Sequence, residues 1–379
     1  MDFTYDEEQK ALREAVRALA TKAYGSFETR RQAVSDAPGF DEAQWARLAE
    51  MGILGLPFSE DDGGVAAGPV EIGLVCQELG RVLAPEPFLA CVVHAGGLVA
   101  AAGSPEQRSD LLGRLAGGEI VLAAADTSPG VRWTAGASGV TAAQDGDAWT
   151  LTGVRDPVPN GARADHLVVT ASLPDGGTGL FVVEGGAATR SDYAVIDGTR
   201  AARVELTSTP AVPLGEPGRD LTATIATVSD ITRIMGAQQA LGVMQAQVAS
   251  TTDYLKSRKQ FGVTLNSFQA LTFRAADMYV SLELAHSVTE WATMVIASGT
   301  RADIAEAADR VGLQVSRAAR HIGQEAIQLH GGIAMTAEYS VGVRSAHLAV
   351  LEQWLGGAQH HLTRLSATVT DHDTVEALS

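Results

Sequence analysis

Between about Gly118 and Val212 the chain loses the helical period that governs the residues on either side of it. Short apolar runs take over: GEIVLAAA, DAWTLTGV, HLVVTAS, TGLFVVE and AARVELTS, rich in Val, Thr, Ile and Leu. Asp145–Gly146, Asn160–Gly161, Asp175–Gly176–Gly177 and Gly185–Gly186 separate them with the residues that tight hairpin turns demand. This pattern predicts a compact β-barrel or sandwich. Before it, Phe3 to Ala23 places Leu12, Val16 and Leu19 at helical spacing, and Asp41 to Met51, Glu71 to Leu83 and Cys91 to Ala101 read as further helices. After it, one long helix runs through Val228, Ile231, Met235 and Leu241, followed by Phe268 to Met294, Ala302 to Leu329 and Val341 to Ala367. The predicted class is mostly α with a β middle domain. An N-terminal helical domain spans residues 1–115, a β-barrel 116–215 and a C-terminal four-helix bundle 216–379.

Composition removes several functions. The chain has 45 acidic residues against 28 Lys and Arg, a net charge of −17, and such a surface repels phosphate backbones, so no nucleic-acid partner is expected. Cys76 and Cys91 match no zinc spacing and cannot staple a chain of 379 residues. The longest apolar stretch, Phe88 to Ala102, contains His94 and two glycines and falls short of the ~20 residues of a membrane span. The polar, acidic first residues hold no secretory h-region, and a cytoplasmic protein is expected. His360–His361 point about 100° apart on a helix with no carboxylate at ligand spacing, so no metal is expected.

Three motifs narrow the reading. LAEMGILGLPFSEDDGG, Leu48 to Gly64, holds a Pro57 and Gly63–Gly64 loop. SRKQFGVTLNSFQAL, Ser257 to Leu271, contains Arg258, Phe261, Gly262 and Gln269. QLHGGIAMTAEYSV, Gln328 to Val341, contains Gln328, Gly331, Gly332, Glu338 and Tyr339. These segments, in this order and around a β region, resemble the acyl-CoA dehydrogenase superfamily: R-x-x-FG-x-x-x-x-x-x-Q and Q-x-x-GG-x-x-x-x-x-EY fit throughout, while the first motif has two extra residues before its glycines. The resemblance implies FAD as cofactor and dehydrogenation of an acyl-CoA to a 2,3-enoyl-CoA. A glutamate base and an electron-transfer flavoprotein as acceptor come with it. It also implies an FAD whose adenosine-diphosphate half is covered by a neighbouring subunit's helical domain. On that basis Arg258, Phe261, Gln269, Gln328, Gly331 and Gly332 are the expected cofactor-binding residues. A guanidinium fork suits phosphate oxygens, and glycine lets backbone come close to them.

The flavin half departs from the family. T-E-P-x-x-GS appears as Thr127-Ser128-Pro129-Gly130-Val131-Arg132-Trp133, with an indole where ligand would lie. W-I-T-N-G appears as Pro157-Val158-Pro159-Asn160-Gly161, and Pro159 has neither hydroxyl nor N–H to donate. The two positions at which family members carry the base hold Leu355 and Thr232, neither of which can act as one. No catalytic residue is therefore assigned; Glu352, one helical turn before Leu355, is the fallback, with Asp230 and Glu338 behind it. Such losses resemble the non-catalytic-type subunit of the actinobacterial α2β2 enzymes of steroid side-chain degradation, in which a homologous catalytic subunit supplies base and flavin pocket. A self-sufficient homotetramer using Glu352 and a flavin-free scaffold are the alternatives. His330, inside the glycine turn, reads more readily as packed than as a ligand, and Trp291 and Trp354 as core or interface anchors.

Overall fold

The computed structural model describes residues 5–130 and 139–371. Arg132 and Trp133 lie outside these residues. The chain opens with helices α1 (Glu7–Tyr24), α2 (Phe27–Ser35), α3 (Glu42–Glu50), α4 (Pro69–Val82), α5 (Gly97–Ala102) and α6 (Pro105–Ala116). The ends of α1 and α6 are set locally: Asp6 with Gln9, and Ser104 with Gln107, form capping boxes, and Pro105 occupies the first turn where its missing N–H costs nothing. Before α5, Phe88–Gly96 winds as a wholly buried π-helix where the periodicity predicts α-helix from Cys91 onward. The wider turn holds His94 in the interior.

Strands β1 (Leu122–Ala125), β2 (Val140–Asp145), β3 (Ala148–Pro159), β4 (His166–Ser172), β5 (Thr178–Glu184), β6 (Thr189–Ala194) and β7 (Arg200–Pro213) form one sheet. The pairings run β4, β2, β3, β7, β5 and back to β4, so the sheet closes on itself, with β1 joined in parallel to β4 and β6 antiparallel to β7. Val140, Leu151, Val158, Leu167, Val169, Phe181 and Val204 fill its interior as a core distinct from that of the helices. Strand β2 alternates, Val140 and Ala142 inward with Thr141 and Ala143 outward, but it is too short and too weakly apolar to figure among the runs read from the sequence. The TRSDYA strand, β6, also escapes the pattern because it is almost wholly exposed and lies on the outer edge of β7.

The helical remainder comprises α7 (Thr222–Ser257), the small hairpin β8 (Lys259–Gln260) and β9 (Val263–Thr264), α8 (Gln269–Ser298), α9 (Arg301–His330), α10 (Ser340–Leu355) and α11 (Ala358–Ala367). The helix predicted over Val341 to Ala367 is broken at Gly356–Gly357, where Gly356 takes φ +109° and ends α10. Among the described residues no helix is long and apolar enough to cross a membrane. The observed class is the expected one: helical N- and C-terminal parts around a central β region.

Helix α7 is central, and two glycines let α4 lie against it. A Cβ on Gly242 would collide with the carbonyl oxygen of Gln77, and one on Gly80 with that of Gln239. Gly242→Ala therefore has to open a backbone-to-backbone contact and is expected to cost about 1–3 kcal/mol despite the better helix propensity of Ala. Denaturant unfolding against the wild type measures it.

Candidate functional site

The six expected cofactor residues come together at one end of the helical bundle. Arg258 follows the last turn of α7, Gln269 opens α8, and Gln328 sits in the last turn of α9. Two contacts hold these ends together. Arg274 of α8 forks onto Glu325 of α9, with Nη2 to Oε1 at 3.0 Å, and Tyr254 of α7 stacks on His330 at 4.5 Å between ring centroids. All six residues are exposed, and Arg258 has no carboxylate ion-pair partner among the described residues.

Gly331 ends α9 at φ +68°, and a Cβ on either Gly331 or Gly332 would meet nothing within 4 Å. Packing inside the chain therefore does not account for Gly332. Phe261 is 92% exposed at φ +54°, a left-handed conformation costly for an aromatic residue.

The two expected base positions lie elsewhere, in the interior of α7 and at the end of α10. Thr232 is buried and donates its hydroxyl back to the Val228 carbonyl at 2.8 Å. Leu355 packs over Gly236, and its carbonyl accepts from Arg233 Nε at 2.9 Å. Glu352 lines a small cavity of about 30 Å³ with Arg233, Gly312 and His361, apart from the larger one that Pro159 lines. Asp230 is pushed up by burial, against the pull of Arg233, whose Nη1 lies 2.6 Å away, and of Arg364. Glu338 is exposed in the loop after the glycine turn.

The larger cavity, about 350 Å³, opens where the barrel meets the helices, between Pro157, Pro159 and Asn160 of the β3 end, Pro85 to Pro87, and His347 and Trp354 of α10. Thr127 and Ser128, at the family's flavin-binding segment, are engaged internally: Thr127 donates to Asp126 at 3.3 Å and Ser128 accepts from Arg155 Nη1 at 2.5 Å. On the inner side Trp354 packs on His94 at 6.0 Å, and His94 Nε2 lies 3.3 Å from Asp126. Burial pushes the Asp126 carboxyl up, yet His94 and Arg155 bring it down to about 2.

Two features of this cavity have no signature in the sequence. His347 Nδ1 donates to buried Asp197 at 2.6 Å while its Nε2 meets Gln239 Nε2 at 3.2 Å. Burial pushes the Asp197 carboxyl up, but hydrogen bonds from His347 and Thr199 hold it well below the ordinary range. The two residues are 150 positions apart, so no local spacing could join them. Glu86 is buried beside them, accepts from the Tyr24 hydroxyl, and is pushed up to about 7 by desolvation.

Comparison with known proteins agrees with this architecture. Residues 6–119 match the acyl-CoA dehydrogenase N-terminal domain and residues 222–369 the acyl-CoA dehydrogenase C-terminal domain. The acyl-CoA dehydrogenase IpdE2 of Mycobacterium tuberculosis is 30% identical, over 97% of this chain and 99% of its own. The Tcur3481-Tcur3483 steroid ACAD superposes with a TM-score of 0.87 at 30% identity, over 96% of this chain and 98% of that one. The ChsE4-ChsE5 complex from Mycobacterium tuberculosis gives 0.87 at 27%, over 99% and 100%. The chain belongs to the acyl-CoA dehydrogenase family, FAD-dependent oxidoreductases acting on CH–CH bonds.

The chain's two regions differ in their fit to FAD. The exposed Arg258 and the open cradle at Gly331–Gly332, which a Cβ would fill, suit the diphosphate half. The cavity wall at Pro157 and Pro159 offers neither an N–H nor a hydroxyl from these residues, and does not suit the flavin ring. No chemical step is derived there.

The Glu86 carboxyl makes a checkable demand on stability. Its folded pKa, about 7, exceeds the ~4.3 of an unfolded chain, so between those values the folded state holds the extra proton. Stability should fall as pH rises through that window, by up to about 1.4 kcal/mol per pH unit, and level off above it. In Glu86→Gln this contribution should vanish; an unchanged pH profile by denaturant titration would remove Glu86 as its source.

Proposed function

We propose that this chain is a subunit of a cytoplasmic α2β2 acyl-CoA dehydrogenase. It completes the FAD site of a homologous catalytic subunit and lacks the base itself. Its residues 216–379 lend Arg258, Phe261, Gln269, Gln328, Gly331 and Gly332 to the adenosine-diphosphate half of the partner's FAD. The observation that carries the reading is the contrast between the two regions. Six outward-facing residues leave an open cradle at one bundle end, whereas Thr232 and Leu355 stand at the base positions.

When bound, FAD supplies the acceptor for the hydride removed from the acyl β-carbon. In this chain Arg258 binds the diphosphate, Gly331 and Gly332 let backbone approach it, and Phe261 covers the adenine side. The α-proton is taken by a residue of the partner. A steroid or similarly bulky acyl-CoA is the proposed substrate, a 2,3-enoyl-CoA the product and an electron-transfer flavoprotein the acceptor. The steroid ACAD and the two-protein ChsE4-ChsE5 complex among the similar structures support substrate class and assembly.

The chain purified alone should be colourless, and the complex with its catalytic partner should hold one FAD per two chains. Arg258→Ala removes a charge-assisted fork to phosphate and should weaken FAD retention in that complex about tenfold or more, as a dialysis series read at the flavin absorbance would show. One FAD per chain in the isolated protein, or unaltered retention in the variant, would overturn the assignment.

A further inference from the structure

Beneath the Gly331–Gly332 turn lies a small buried group of side chains that the motif does not include. His330, the last residue of α9, is 4% exposed, with its ring between Tyr254, stacked at 4.5 Å, and Tyr339, tilted at 5.3 Å. Its Nδ1 donates to the Ala326 carbonyl at 2.8 Å, while Nε2 is buried without a hydrogen-bond partner.

Arg344, one turn into α10, reaches the same group. Its Nη1 donates to Ser250 Oγ of α7 at 3.2 Å, its Nε is buried without a partner, and no carboxylate lies within 4 Å among the described residues. The charge is near enough to act on both His330 and Tyr339.

Arg344 is half-buried, and a guanidinium partly withdrawn from water with no counter-ion costs stability. The turn itself is open: neither glycine has a neighbour where a Cβ would stand. Arg258, without a carboxylate ion-pair partner among the described residues, follows the last turn of α7, one turn beyond the Tyr254 whose ring stacks on His330. Two cations without carboxylate partners among the described residues therefore lie on the elements that meet at His330: Arg258, exposed, at the end of α7, and Arg344, half-buried, on α10.

We propose that Arg344 is a second cation of the diphosphate site, a positioning residue that acts from beneath the turn through His330 while Arg258 contacts the phosphates from the surface. The proposal rests on the lent-half reading above. The ligand class is a nucleoside diphosphate, whose two to three negative charges supply the counter-ion that Arg344 lacks in the chain alone. The charge acts across the buried ring of His330, so its field on the turn is only partly screened by water. The cost of the unpaired charge is carried by the free subunit and relieved on binding, which favours the occupied state.

The test uses the full chain, with ADP as probe, by calorimetric titration at low salt and by thermal unfolding without ligand. Arg344→Gln should weaken ADP binding about tenfold, the loss expected for one partly screened unit charge. Arg344→Lys, which keeps the charge, should bind within a few fold of wild type. Without ADP, Arg344→Gln should melt no lower than wild type, since it removes a half-buried cation that has no carboxylate partner among the described residues. If Arg258→Ala weakens ADP binding and Arg344→Gln does not, the role of Arg344 is overturned and the lent-half reading stands. If wild type fails to bind ADP, or neither variant changes its affinity, that reading falls and this proposal with it. If Arg344→Gln and Arg344→Lys lose ADP equally and both melt lower, Arg344 is structural only.

Discussion

One buried carboxylate ties the three parts of the molecule to each other. Asp197, at the tip between β6 and β7, takes a 2.6 Å hydrogen bond from His347 of α10, and His347 in turn meets Gln239 of α7. Arg30, buried on α2, adds its charge to the same carboxylate. Ion pairs of this kind gain little on balance, because desolvation offsets attraction, but they are intolerant of displacement. The barrel tip, the first helices and the bundle are thus held in one relative position. The cavity beside Pro159 inherits its walls from that lock.

The region around the cavity and the exposed bundle end are unlike. Near the barrel side, Ser128 is taken by Arg155, Thr127 turns to Asp126, and Trp354, which lines the cavity, leans on His94. At the far end of the bundle the reverse holds. The two glycines meet nothing where a Cβ would stand, Arg258 has no carboxylate partner among the described residues, and Phe261 is 92% exposed although its ring meets the edge of Phe268 at 6.2 Å.

Pattern revealed the order of the parts because the helices keep a period of 3.6, while the barrel shows short apolar runs cut by turn residues. It failed where the environment removes contrast. The segment Phe88–Gly96 is buried on every side, so nothing in its pattern separates a π-helix from an α-helix. Strand β6 is exposed on nearly every residue and shows no alternation. Helix α2 is short and polar, and α6 starts at a capping box of Ser104 and Gln107 with Pro105 in its first turn, a local signal that apolar periodicity does not register. Of the site, the residues within one local motif were legible, Arg258 to Gln269 and Gln328 to Gly332. Asp197, His347 and Glu86 were not, since they come from distant segments and meet only through folding.

The amino-acid order alone determined the family motifs, that Thr232 and Leu355 stand at the two expected base positions, and that Pro159 carries neither N–H nor hydroxyl, because residue identity suffices for each. Tertiary structure decided where those residues face. That Glu352 lines a different cavity from Pro159, and that Arg344 lies near His330 without a carboxylate partner among the described residues, depend on helix packing angles. Such angles are set by contacts across the whole core, and no single segment encodes them.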